Sequence, residues 1–282
     1  MLKRVAAIHD ISGIGKCSLT AALPIISAAG IETAVMPTAV LSTHTGEMKG
    51  YTYRDLTEDL VPFANHWSSL GIEFNGIYSG FLGSVEQVDI VCEFINKFRT
   101  KNTVVIVDPA MADGGKMYKT FDTSFAKEMT ALCKKADILI PNITEAAFLL
   151  DKEYREAPHT KEYIETLLSG LLKFGTSMVV LTGVSFNDNE IGCAVICKED
   201  GIIKYYSTKK YPGIYYGTGD VFASALTGAY LHGLTIFESA EIALKFTCEA
   251  IRRTYEAGTD PRLGVNFEQG LAEYISFIGG KS

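Results

Sequence analysis

The feature that most constrains this chain is a repeated alternation. Short apolar runs that stop at Pro, Gly or Asp are followed by longer amphipathic ones. Residues 103–107 are β-branched throughout and end at Asp108-Pro109, the signature of a strand buried on both faces. Similar runs predict strands over 5–8, 33–36, 76–78, 138–140 and 178–181. Helical spacing covers 17–29, 55–70, 85–98, 125–134, 144–150, 161–173, 220–232, 236–255 and 267–277. Strand–helix–strand units close right-handed and place their strands parallel, with helices on both faces of the sheet. Runs over 192–197 and 202–207 flank Lys198-Glu199-Asp200-Gly201, whose Asp-Gly step predicts a hairpin and hence an antiparallel edge. No linker, repeat or low-complexity segment interrupts the pattern. The expected class is α/β: a single domain over 1–282, a three-layer α/β/α sandwich with a central, mostly parallel sheet.

Composition narrows the function classes. The chain has 282 residues, a net charge of −7 and 21% charged residues, so it lacks the basic footprint of a nucleic-acid binder. Its six cysteines include no C-x-x-C pair and no nearby histidines at metal-binding spacing, which predicts free core thiols in a reducing compartment. The first apolar run stops at His9-Asp10, too short for a secretory signal, and no stretch approaches a membrane span. These readings predict a cytoplasmic chain with no membrane or nucleic-acid partner.

In open α/β sheets, ligands bind beyond the carboxyl ends of the strands. Polar and glycine-bearing turns follow the strands here. Gly217-Thr218-Gly219-Asp220 precedes a helix: two glycines allow close backbone approach, and the helix start offers unpaired N–H groups to a phosphoryl group. Asp220 is placed to accept a proton from an attacking hydroxyl, while its bland reading is a helix-start carboxylate. The turn from His9 to Ser18 contains Gly15-Lys16 but is not a P-loop, because Asp10 and Cys17 stand where that motif needs Gly and Ser or Thr. The cluster Leu41-Ser42-Thr43-His44-Thr45-Gly46 is polar and ends in glycine. Asp108, directly after a buried strand, suits Mg²⁺ held through one or two carboxylates. Pro141-Asn142-Ile143-Thr144-Glu145 reads equally as a capping box or as a carboxylate that reaches metal-bound water. A sixth turn, Thr182-Gly183, ends the run over 178–181.

The order of these turns resembles the ribokinase superfamily and, within it, the pyridoxal kinases. The likeness rests on Ser42-Thr43-His44-Thr45-Gly46, Tyr78-Ser79-Gly80-Phe81-Leu82-Gly83-Ser84, Asp108-Pro109, Asn142 with Glu145, and Gly217-Thr218-Gly219-Asp220. It spans nearly the whole chain. The resemblance implies ATP-dependent phosphorylation of the 5′-hydroxymethyl group of pyridoxal, pyridoxamine or pyridoxine. By resemblance, Asp220 is the base and the amides of Gly217, Thr218 and Gly219 form the anion hole. Asp10, Ser12, His44, Thr45 and Phe81 belong to the vitamin side. Asp113, Tyr118, Asn142, Thr182 and Thr218 belong to the nucleotide side, and Asp108 and Glu145 to Mg²⁺. A homodimer and a K⁺ requirement are further implications.

Asp10 departs from the serine usual in pyridoxal kinases and favours a cationic ring nitrogen or another donor, with Ser12 available for the hydroxyl role. Asp10 and Ser12-Gly13 also fit the first loop of hydroxymethylpyrimidine kinases, which keeps that substrate as an alternative. Those kinases, however, usually carry Cys where Asp220 stands. A non-catalytic vitamin-binding protein on the same scaffold is the alternative from another class.

Overall fold

A computed structural model describes residues 2–122 and 124–280. In chain order the elements are β1 (Arg4–Ile14), α1 (Leu19–Ala28), β2 (Glu32–Thr43), β3 (Tyr53–Asp55), α2 (Thr57–Ser69), β4 (Gly76–Ser79), α3 (Val85–Phe98) and β5 (Val104–Val107). A small pair, β6 (Ala112–Asp113) and β7 (Lys116–Met117), precedes α4 (Phe125–Cys133), β8 (Ile138–Leu139), α5 (Ile143–Leu149) and α6 (Lys161–Leu172). Then come β9 (Met178–Val184), β10 (Glu190–Cys197), β11 (Ile203–Lys209), α7 (Thr218–His232), α8 (Ile236–Ala257) and α9 (Leu271–Gly279). The class is the expected one: mixed α/β, with mostly parallel strands and antiparallel edges.

The chain forms two compact units, residues 1–78 with 211–282, and residues 79–210. In the first, β1 lies between β4 and β2, with β1 and β2 parallel and β3 added antiparallel at the edge. Val5, Ala6, Ala7 and Ile8 are completely buried, as an apolar strand covered on both faces must be. Helices α1, α7, α8 and α9 pack together in this unit. Tyr274 is buried there against Phe246, with ring centroids 4.9 Å apart, and its hydroxyl donates to the carbonyl of Ala225 at 2.8 Å.

In the second unit, β5, β8 and β9 are parallel, and β10 and β11 continue as an antiparallel hairpin. Val105, Ile106 and Val107 are fully buried. The hairpin turn falls at the Asp-Gly step read from the sequence, and Asp200 Oδ1 accepts from the N–H of Ile202 at 2.9 Å.

The edges of the early strands differ from expectation. β1 runs on to Ile14 rather than stopping at residue 8, and β2 runs through Pro37 to Thr43 rather than ending at residue 36. Pro37 lies opposite His9, where the register slips before Ile11 pairs with Val40. A proline has no N–H for the ladder, and an irregularity of this kind is where a strand tolerates one. The sequence reading also missed β3 and began the helix that follows at Asp55, the last residue of that strand. Asp55 ends the strand, and its carboxylate accepts from the N–H of Thr57 at 2.8 Å to start α2.

Candidate active site

In the first unit, the end of β1 and the start of α7 meet. Asp10 is 4% exposed and accepts two hydroxyl bonds, from Ser12 at 3.1 Å and from Ser18 at 2.5 Å. Burial raises its proton affinity, and the two serines partly offset the rise. The backbone N–H of Ser18 also favours the charged form of Asp220, in the first turn of α7. Asp220 is half-buried. Burial, with a smaller contribution from the charge of Asp10, pushes its pKa up to about 7, against the lowering effect of the Ser18 N–H. Cys17 is buried beside both carboxylates. Burial first, then their charges, raise its thiol well above the ordinary range, which keeps it a neutral wall.

Gly217 is the N-cap of α7 in the left-handed conformation, φ 73°, and no side chain caps the helix there. A Cβ at Gly217 would stand 2.5 Å from the carbonyl oxygen of Lys16, so only glycine lets the two turns approach this closely. A Cβ at Gly219 would meet nothing within 4 Å. The first turn of α7 thus presents backbone amides without a side-chain cap beside a carboxylate held near neutrality, a pairing suited to receiving an anion while a proton leaves a hydroxyl. Lys16, which a P-loop reading would aim at phosphate, instead binds Asn266 at 3.1 Å and Glu268 at 3.0 Å.

His44 is buried and engaged at both ring nitrogens. The N–H of Gly46 donates to Nδ1 at 3.1 Å, so the proton sits on Nε2, which donates to the carbonyl of Arg262 at 2.6 Å. The ring stacks on Tyr216, with centroids 5.2 Å apart, and a Cβ at Gly15 would lie 2.3 Å from it. His44 therefore clasps its loop to the turn before Gly264, and its polar atoms serve the backbone. Thr45, beside it, is half-buried.

The second unit holds the remaining candidates. Glu145 is buried, with Oε1 accepting from the N–H of Met111 at 3.1 Å and Oε2 from the N–H of Asn142 at 2.8 Å. Asn142 completes a capping box by accepting from the N–H of Glu145, and its amide donates to the carbonyl of Ala112 at 2.8 Å. The structural reading of Asn142 and Glu145 therefore holds in full. Burial, then the charge of Asp108, raises the proton affinity of Glu145 well above the carboxylate range. Two neighbouring buried carboxylates that repel each other suit a hard divalent cation. Because both oxygens of Glu145 already bind amides, holding metal-bound water suits it better than direct ligation. Thr182 pairs with Asn142 across a parallel bridge, and its N–H donates to Pro141 at 2.9 Å. Asp113 and Tyr118 flank the β6–β7 turn: Asp113 is exposed, and Tyr118 is half-buried with its N–H donating to Met111. Phe81 contacts Phe121, with centroids 5.6 Å apart.

The structure thus gathers Asp10, Ser12, Thr218 and Asp220 in one unit and Asp108, Asn142, Glu145 and Thr182 in the other. Sequence reasoning missed Ser18 and Cys17 as neighbours of Asp220. Both lie in the quoted turn from His9 to Ser18, but nothing in their side chains announces a positive φ at Ser18.

A family model described as phosphomethylpyrimidine kinase matches residues 17–263. A Bacteroides thetaiotaomicron structure bearing that kinase name, in a form solved with pyridoxal, is 35% identical, with a TM-score of 0.93 over 97% of this chain and 96% of that one. A pyridoxal kinase from Lactobacillus plantarum is 29% identical, with a TM-score of 0.89 over 98% of each chain. The pyridoxal kinase of Arabidopsis thaliana is 28% identical over 201 residues, 67% of this chain and 62% of the plant enzyme, so the match spans less than two thirds of that relative.

Proposed function

The chain belongs to the phosphomethylpyrimidine kinase family, and from that premise we propose that it transfers the γ-phosphoryl group of ATP to the hydroxymethyl group of pyridoxal, pyridoxamine or pyridoxine. The observation that carries the proposal is the carboxylate of Asp220, with its pKa pushed up to about 7 by burial, in the uncapped first turn of α7. A base whose pKa lies near working pH combines a useful deprotonated fraction with a real appetite for the proton. Phosphoryl transfer asks little covalent chemistry of a protein; it asks for alignment and for neutralisation of charge.

In this reading, Asp220 takes the proton of the hydroxymethyl group as its oxygen attacks the γ-phosphorus and the bond from that phosphorus to the bridging oxygen breaks, releasing ADP. The N–H groups of Gly217, Thr218 and Gly219 receive the charge on the phosphoryl oxygens. Mg²⁺, when bound, neutralises the phosphates, with Asp108 and Glu145 the carboxylates that hold it or its waters. Asn142, Thr182, Asp113 and Tyr118 serve the nucleotide. Asp10 and Ser12 face the ring, where a buried carboxylate favours a protonated pyridine nitrogen. By the resemblance to pyridoxal kinases, Thr45 and Phe81 belong to the vitamin side, and His44 acts through its loop.

Hydroxymethylpyrimidine is a second reading, favoured by the Asp10-Ile11-Ser12-Gly13 turn and by the family's name. A coupled ADP-release assay across the three vitamers and hydroxymethylpyrimidine tests both. Turnover on a vitamer, abolished by chelating Mg²⁺, supports the proposal. Turnover confined to hydroxymethylpyrimidine replaces it, and thermal stabilisation by pyridoxal without ADP release removes catalysis altogether.

A further inference from the structure

Ser18 is the N-cap of α1, and its carbonyl accepts the first helical bonds, from Ala21 at 3.1 Å and Ala22 at 2.8 Å. A serine at this position ordinarily turns its side-chain oxygen to an amide of the first turn, which stabilises the helix. Ser18 makes no such bond. Its backbone is also out of place: φ 55° and ψ −130° lie where residues with a Cβ are strained, whereas an ordinary N-cap is extended. Lys16, two residues earlier, is left-handed as well, at φ 50°. Two costs therefore meet in one residue, and strain of this kind persists only where the surroundings over-determine it.

The contacts of Ser18 show what the conformation secures. The diverted hydroxyl donates to Asp10 at 2.5 Å, and the amide lies on the side of Asp220, where it favours the charged carboxylate. A capping serine, with its oxygen turned back to its own helix, would leave Asp10 without its shorter hydroxyl bond. We propose that Ser18 is a positioning residue whose strained, uncapped conformation aligns Asp10 and Asp220 from the two ends of one residue. This role rests on the kinase reading above, in which Asp220 faces the hydroxyl and Asp10 the ring.

Ser18→Gly separates alignment from structure. Glycine adopts φ 55° without strain, so the variant melts at or above the wild-type temperature, while the hydroxyl is lost and the amide is no longer forced toward Asp220. The expected result is a fall in kcat of about tenfold or more, the scale of one lost bond to a charged group, with KM for ATP unchanged. Ser18→Ala keeps the strain and loses only the hydroxyl.

A second measurement needs no substrate: carboxyl ¹³C titration of the free protein. The groups that face this pair are Cys17 beside both carboxylates, with His44 and Tyr53 acting on Asp10. In both variants the Asp10 midpoint moves to higher pH, because its charged form loses a donor. In Ser18→Gly the Asp220 midpoint rises as well. Wild-type turnover in Ser18→Gly overturns the assignment whatever the titrations show. Should the wild type phosphorylate neither a vitamer nor hydroxymethylpyrimidine, the kinase reading falls on its own. The titrations then decide, and unmoved midpoints in Ser18→Gly overturn the role of Ser18.

Discussion

In the proposed reaction Asp220 is useful because burial disfavours its charge. Its pKa of about 7 lies above the ordinary aspartate value, so the folded state holds a proton that the unfolded chain releases. The contribution is therefore unfavourable above pH 7 and disappears as pH falls below the unfolded value. Asp220→Asn keeps the shape of the side chain and removes the charge. It is expected to lower kcat by about 10²–10⁴ and, at pH 8, to raise the melting temperature, with a smaller rise at pH 5. A variant that loses turnover and stability together contradicts this account. For the wild type, kcat/KM is expected to climb with pH to a plateau, with an acid limb near 7 that is absent from the residual rate of Asp220→Asn. The helix start was legible, since Gly217-Thr218-Gly219-Asp220 precedes a helical run and α7 begins at Thr218, but the four residues alone read equally well as a base or as a helix-start carboxylate. The neighbours of Asp220 were not legible. Ser18 and Cys17 reach it through a turn whose left-handed angles are imposed by packing, and His44 looks like any histidine in a polar loop until both ring nitrogens are traced to the backbone.

Among elements, the start of α7 depends on a residue that has no side chain. Gly217→Ala introduces a Cβ at φ 73°, where the left-handed region costs about 1–2 kcal/mol, and drives it against the carbonyl of Lys16. Thermal denaturation is expected to show a loss of at least about 2–4 °C for a protein of this size, together with loss of activity as the two turns separate. The capping box at α5 makes a different demand. Glu145 caps the helix and also feels the charge of Asp108. Glu145→Gln retains an acceptor for one amide and deletes the charge, so the Mg²⁺ concentration that half-activates ADP release should rise by about 10–100-fold; an unchanged Mg²⁺ profile would leave Glu145 a purely structural cap. Helices were the legible elements: α3 occupies the span that periodicity assigned, and α8 differs from it only at its last residues. The ends of β1 and β2 were hidden because Pro37 and the glycines after His9 normally punctuate strands, whereas a register slip absorbs them here.

For the molecule as a whole, the fold class followed from alternation alone, because parallel strands need crossovers and buried strands need apolar runs. The cysteines bear out one further expectation: all six are free, and every one but Cys197 is buried. A thiol reagent should therefore titrate about one group quickly in the native protein and six after denaturation; several fast thiols would mean a looser core. The division into two units was not legible, since no linker or shift in composition marks residues 79 or 210. It carries a consequence for biosynthesis. The second unit is one continuous stretch, but the first is assembled from both ends of the chain, with Asp10 in the early half and Asp220 in the late one. A ribosome completes the whole second unit while α1 still waits for α7, the helix that packs against it. Until α7 emerges, the nascent chain carries apolar residues of α1 without the helix that packs on them, a surface that a chaperone would bind.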